Sequence, residues 1–240
     1  MTSAFGIMSL IYENDGRFFM EEMKIENLYD LTHTRAAEYL RGFTYPWEAL
    51  DGIGELIVKI GGALDSCVYE QKGENIWVAK SATVAPTASI AGPCIIGENT
   101  EVRPGAFIRG KVLVGDGCVV GNSTELKNVI IFDCVQVPHY NYVGDSVLGY
   151  RSHMGAGSIT SNVKSDKTLV CVNFKGEKIP TNRKKFGAAL GDFVEVGCGS
   201  VLNPGTVVGR NSNIYPLSSV RGFVEENSIF KSQDNQVKKV

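Results

Sequence analysis

The chain has 240 residues, enough for one or two domains with a substantial core. Its 24 Lys and Arg nearly balance 26 Asp and Glu, giving a formal charge of -2, so bulk charge gives no reason to expect nucleic acid or an anionic membrane as a partner. No secretory signal and no apolar run of bilayer length are present, and the expectation is a soluble, cytoplasmic protein.

Residues 1–22 carry no clear period and form an extension of unclear role. Residues 23–75 read as helical. Asp30 or Thr32 can cap a first helix with Ala36, Ala37, Tyr39 and Leu40 on its apolar face, and Gly42 ends it. Pro46 opens a second helix, in which Trp47, Leu50, Ile53, Leu56, Ile57, Ile60 and Leu64 recur at steps of three and four until Gly61-Gly62. An apolar stripe of this size must pack on something, and the expectation is that it caps the open bottom end of the next region.

That region, residues 76–225, is built on a period of six. Val78, Val84, Ile90, Ile96, Val102, Ile108, Val114, Val120, Leu126 and Phe132 follow one another at every sixth position. Two residues before each stands a mostly small side chain, as at Ala82, Ala88, Cys94, Thr100, Ala106 and Cys118. A repeat this short cannot bury its own apolar face and must stack on copies of itself, which makes a parallel β-helix of three hexads per coil. The expected class is mainly β, a parallel β-helix of hexapeptide repeats with an N-terminal helical cap. Strict step is expected to Phe132. Val137, Val143, Leu148, Met154 and Thr160 then include one step of five, which implies a bulge or a looser corner in the most polar part of the coil region.

From 163 to 187 the period disappears into a segment rich in Lys and Arg, read as an excursion that covers a site or as a disordered loop. The six-step resumes at Leu190, Val196, Leu202, Val208, Ile214 and Val220, and residues 226–240 read as a frayed tail. Of the six cysteines, Cys94 and Cys118 fall on the small-residue register and read as buried thiols, and no spacing suggests zinc, so no metal is expected.

Several stretches of this region carry a resemblance: Arg103 to Ala106 (RPGA), Glu125-Leu126-Lys127, His139 to Asp145 (HxxYxGD) and Gly155 to Asn162 (GAGxITxN). In order and approximate spacing they resemble the acetyltransferase half of the bifunctional N-acetylglucosamine-1-phosphate uridyltransferase/glucosamine-1-phosphate acetyltransferase family. The resemblance implies a left-handed β-helix, a homotrimer with sites between subunits, and acetyl-CoA as co-substrate for transfer to an amino-sugar-1-phosphate. The family's nucleotidyltransferase domain has a glycine-rich loop and a lysine that the first 75 residues here lack, so pyrophosphorylase activity is not expected.

Residue by residue, the resemblance implies that His139 takes the amine proton and that Glu125 orients it, in keeping with an imidazole that titrates near neutral pH. Arg103, or Arg109 if one extra hexad is counted, would hold the sugar phosphate with Lys127 and one of Lys164 or Lys167. Tyr142 and Asn162 would contact the sugar or its acyl group. His153 stands where the family has asparagine. Ala156, Cys198 and Pro216 would lie beside acetyl-CoA, where Tyr215-Pro216 narrows the groove. The partners expected are a small-molecule sugar phosphate and acetyl-CoA, with no nucleic acid and no membrane. One alternative is a non-catalytic trimeric β-helix that binds a sugar nucleotide or a partner nucleotidyltransferase. A hexapeptide carbonic anhydrase would need closely paired histidines, and His33, His139 and His153 are not so paired.

Overall fold

The computed structural model describes residues 21–233 and 235–239. From Ile76 onward the chain winds as a three-faced parallel β-helix. The first face stacks Ile76–Ala79, Cys94–Ile96 and Val112–Val114, the second Thr83–Val84, Glu101–Val102 and Val119–Asn122, and the third Ser89–Ile90 and Phe107–Ile108. One coil takes 18 residues, as the pairings of Ile76 with Cys94 and of Cys94 with Val112 show. The aliphatic hexad residues fill the interior; Ile96, Val102, Ile108, Val114, Val120 and Leu126 are all buried. The small-residue register lies at the turns, where Thr100 Oγ1 donates to the Gly115 carbonyl and Thr124 Oγ1 to that of Val137. Hydroxyls here satisfy turn carbonyls that a narrow interior would otherwise leave unpaired.

Strict step ends earlier than expected. Val114 pairs with Ile131, not Phe132, so the coil through Leu126 is one residue short, and so is the next, in which Ile131 pairs with Leu148. Phe132 therefore leaves the interior row. It takes the corner position that glycine holds at Gly97, Gly115, Gly149, Gly191 and Gly209, and it is buried from outside by Tyr29, with ring centroids 5.0 Å apart.

The two long helices expected in residues 23–75 are shorter and interrupted. Asp30 caps only a 3-10 turn, Leu31–His33, by accepting from the Thr32 amide, and one helical turn follows at Ala37–Leu40. Pro46–Leu50 is a 3-10 helix, and Gly52 separates it from the α-helix Ile53–Gly61. Nor do these elements cap the bottom end. Ile53–Gly61 lies along the first face against Cys94–Ile96, Val112–Val114 and Glu125–Ile131, and Pro46–Leu50 meets Tyr142–Leu148. The outward side of that face is itself apolar, with Trp77, Ile95, Leu113, Ile130 and Val147 buried beneath the helical flank. At the bottom, Tyr69–Gly73 pairs antiparallel with Ile76–Ala79. The flank is also held through Asp192, fully buried, which accepts from the Asp30 and Tyr150 amides and from Arg210.

The excursion is ordered. Val170–Phe174 and Glu177–Arg183 form an antiparallel hairpin turned at Lys175-Gly176, both with left-handed φ. The expected frayed tail contributes strands: Ser228–Ser232 stacks on Asn213–Ile214, with Phe230 buried above Ile214, and Asn235–Lys238 folds back on it. No described helix is long and apolar enough to cross a membrane.

Candidate functional site

Around the middle coils the polar side chains gather at two corners. At the corner between the second and third faces, one column of backbone hydrogen bonds climbs the solenoid. The carbonyls of Asn122, His139, Ala156 and Cys198 accept from the amides of Tyr140, Gly157, Gly199 and Leu217 in turn. His139, Ala156 and Cys198 thus occupy one position in successive coils, Pro216 takes the same place beside Leu217, and all four are exposed. Gly121 makes the close stacking below His139 possible, since a Cβ there would run into the Pro138 backbone. Asn141, buried at the same corner, accepts from the His139 amide and donates to the carbonyls of Gly155 and Ser158, fixing the turn. Tyr140, between His139 and Asn141, has a left-handed φ of 52° and stays open to solvent. No described residue engages the His139 imidazole, which leaves it free to meet a ligand.

On the third face and the corner beyond it, Asp145 is the hub. It is 3% exposed and accepts from Asn128 Nδ2 at 2.9 Å, Asn162 Nδ2 at 2.5 Å and Lys127 Nζ at 3.2 Å. Asn162 Nδ2 also donates to the Tyr142 hydroxyl at 3.1 Å. Partial burial first, then the carboxylates of Asp145 and Glu125, push the Tyr142 phenol up from its ordinary range, so it stays a neutral O–H donor at neutral pH. Replacing Asp145 with alanine should lower unfolding stability by about 2 kcal/mol, because three donors lose a buried charged acceptor. A urea titration of Asp145→Ala beside Asp145→Asn measures this, with the asparagine variant expected to recover part of the loss.

The same corner opens into a cleft of about 530 Å³. Arg109, Lys111, Lys127, Asn128 and Asp145 form its floor, Asp51 at the end of Pro46–Leu50 one wall, and Arg183, Lys184 and Lys185 of the returning excursion the other. Arg183 reaches both Asp51 oxygens, and that pairing holds the Asp51 carboxyl below its ordinary range.

The structure therefore brings together His139, Ala156, Cys198 and Pro216 as one column, and Lys127, Tyr142 and Asn162 as one network. Other expectations fall apart geometrically. Glu125 does not orient His139; it pairs with Arg109 at 2.5 Å. Arg109, not Arg103, lies one coil below Lys127 in the cleft, while Arg103 sits on the other corner and pairs with Glu101. Lys164 bonds to Thr168 and Asp166 and lines a separate hollow with Lys178 and Arg221, and Lys167 stands in the turn of the same segment. His153 is on the second face with Nδ1 2.8 Å from a Glu195 oxygen. Sequence reasoning assigned no role to Asp145, Asn128, Asn141 or Asp51. Asp145 lay inside a quoted motif, and Asn141 in the small-residue register was the only signal at its corner. Among the described residues, no group of three His, Cys, Asp or Glu stands together as a metal site.

A three-faced hexapeptide solenoid with an open polar corner and a basic cleft is the class of protein defined here. Residues 90–184 match the family described as the GMPPB C-terminal domain. The chain is 32% identical over 203 residues to the bifunctional protein GlmU of Methanococcus maripaludis, which covers 83% of this chain and 49% of that one. It is 37% identical over 109 residues to a bifunctional sugar-1-phosphate nucleotidylyltransferase/acetyltransferase of Sulfurisphaera tokodaii, covering 45% of this chain and 27% of that protein. A hexapeptide transferase family protein of Anaplasma phagocytophilum superposes with a TM-score of 0.37 and 15% identity, over 68% of this chain and 78% of that one. The sequence matches and the solenoid together fit the acetyltransferase domain of the GlmU family. The chain spans about half the length of the first of these relatives, or less.

Proposed function

We propose that this chain is an acetyl-CoA-dependent N-acetyltransferase that acts on an amino-sugar-1-phosphate, of the glucosamine-1-phosphate type, in the cytoplasm. The observation that carries the reading is the corner column: His139 stands directly below Ala156, Cys198 and Pro216, the positions that the family resemblance gives to the acyl donor. The name of the Sulfurisphaera tokodaii relative, which pairs a sugar-1-phosphate nucleotidylyltransferase with an acetyltransferase, supports it.

In this reading the acceptor's phosphate lies at Lys127 and Arg109. Tyr142 and Asn162 hold the sugar, and His139 takes a proton from the amine as its nitrogen attacks the thioester carbonyl. The C–N bond forms, the C–S bond breaks, and coenzyme A leaves with a proton. The column and the third face meet across neighbouring subunits of a homotrimer. His153, fixed by Glu195, lines the approach on the second face. A second reading, a β-helix that binds a sugar nucleotide without acylating it, is favoured by the His139 imidazole having no hydrogen-bond or ion-pair partner among the described residues. Release of free thiol from acetyl-CoA in the presence of glucosamine-1-phosphate, and then of other amino-sugar phosphates, separates the two. Acceptor-dependent release supports the transferase. Its absence with every acceptor, in a folded trimer, supports the binding module.

A further inference from the structure

One corner position runs beside the His139 column in every coil, and its backbone is left-handed throughout. Gly105, Ser123, Tyr140, Gly157, Gly199 and Leu217 hold it in turn, with φ from 52° to 72°. Glycine suits this conformation, and a bulky side chain is disfavoured in it. Two large side chains nevertheless take it, Tyr140 and Leu217. They are also the two most exposed large apolar residues among those described, at 66% and 84%. Each carries two costs, backbone strain and apolar surface left in water, and neither contributes to the buried core.

The two residues bracket a slot. Tyr140 follows His139 at the lower end, and Leu217 follows Pro216 three coils higher, about 14 Å away at one strand spacing per coil. Between them the floor is bare. A Cβ added to Gly157 would meet nothing within 4 Å, whereas one added to Gly199 would come within 2.9 Å of Leu217 Cδ2. The leucine therefore leans down over Gly199, towards His139. None of the residues that line the column from His139 to Leu217 is Lys, Arg, Asp or Glu, so the slot suits an extended, uncharged chain.

We infer that Tyr140 and Leu217 set the affinity for the pantetheine arm of the acyl donor, with Tyr140 flanking the thioester and Leu217 packing on the geminal dimethyl group of the pantoyl unit. This deepens the acetyltransferase reading and rests on it for the identity of the donor. The dimensions agree. In pantetheine roughly ten bonds separate the sulfur from the dimethyl-bearing carbon, about 12 Å in an extended chain. With the sulfur beside His139, the dimethyl group reaches the down-turned tip of Leu217. That group is the branched apolar part of the arm, and the exposed isobutyl group of Leu217 is its complement on a column otherwise lined by Ala156, Cys198 and Pro216.

Donor analogues isolate the contact. S-acetylpantetheine carries the dimethyl group, S-acetyl-N-acetylcysteamine lacks it, and neither carries a phosphate. The preference in kcat/KM for the pantetheine donor, measured with whichever amino-sugar phosphate supports turnover, should be about tenfold smaller in Leu217→Gly than in the wild type, the effect of one leucine partly buried by the ligand. Acetyl-CoA binding, followed calorimetrically without acceptor, should weaken in Leu217→Gly and in Tyr140→Gly. Glycine relieves the left-handed backbone, so the unfolding midpoints of both variants should stand at or above that of the wild type. An unchanged donor preference in Leu217→Gly overturns the inference, and so does a variant that loses stability or dissociates from the wild-type oligomer, which would make the leucine a folding or subunit contact. Weakened acetyl-CoA binding in the variants without turnover of any acceptor retires the transferase reading alone. Turnover with the donor preference unaltered retires the bracket alone, and no binding of acetyl-CoA by the wild type retires both.

Discussion

Replacing His139 with alanine should lower acetyl transfer by about a hundredfold or more, the range expected when a general base is lost. The side chain is exposed and unpartnered among the described residues, and its backbone is held by Asn141 and by the coil above, so the substitution removes an imidazole without disturbing the corner. The unfolding transition of His139→Ala should therefore coincide with that of the wild type. Steady-state thiol release by the wild type and the variant is the measurement. An unchanged rate in the variant would assign the proton to another group, with His153 beside Glu195 the next to examine.

The second large effect is on stability. Phe132→Ala should cost about 3–5 kcal/mol, as truncating a fully buried phenylalanine does. Phe132 fills the contact between the solenoid corner and Tyr29, so the loss should appear as release of the helical flank together with lower global stability. Denaturant unfolding followed at Trp47, buried in the flank, and by overall secondary structure would detect both. A loss below about 1 kcal/mol would mean that the flank contributes little to the solenoid.

Phe132 also shows where sequence reasoning stopped. The hexad register was legible because ten apolar residues in step leave few other folds. The one-residue shortening after Leu126 was hidden because Ile131 and Phe132 are both apolar, and either could occupy the interior row. A helical stripe through Leu56 and Ile57 states that a face will be buried but not against what. The outward apolar residues of the first face, Ile95, Leu113 and Ile130, were the unread signal that a flank was needed there. The tail read as frayed from its composition, yet Phe230 stands one coil above Ile214 and continues the interior row at a spacing of 16. Alternation in Val170–Phe174 followed by Lys175-Gly176 was a hairpin signal of the ordinary kind.

The candidate site was legible where residue types carried it. His139 and the column above it emerged in register, and Lys127, Tyr142 and Asn162 converged. The choice between Arg103 and Arg109 depended on counting coils, which a sequence with coils of unequal length does not permit. Pairings such as Glu125 with Arg109 and Arg183 with Asp51 join residues 16 and 132 positions apart, and only the winding of the chain brings them together.

Cys198 offers the most direct test of the central claim, that the acyl donor lies along the corner column above His139. Its thiol is exposed on that column, Cys67 is exposed elsewhere, and Cys94 and Cys118 are buried, with thiols pushed far up by desolvation. Alkylation of the native protein should label Cys67 and Cys198 and spare Cys94 and Cys118. Saturating acetyl-CoA, which has no free thiol, should then protect Cys198 while Cys67 continues to react. Equal labelling of Cys198 with and without acetyl-CoA, at concentrations that support turnover, would contradict the placement of the donor on this corner.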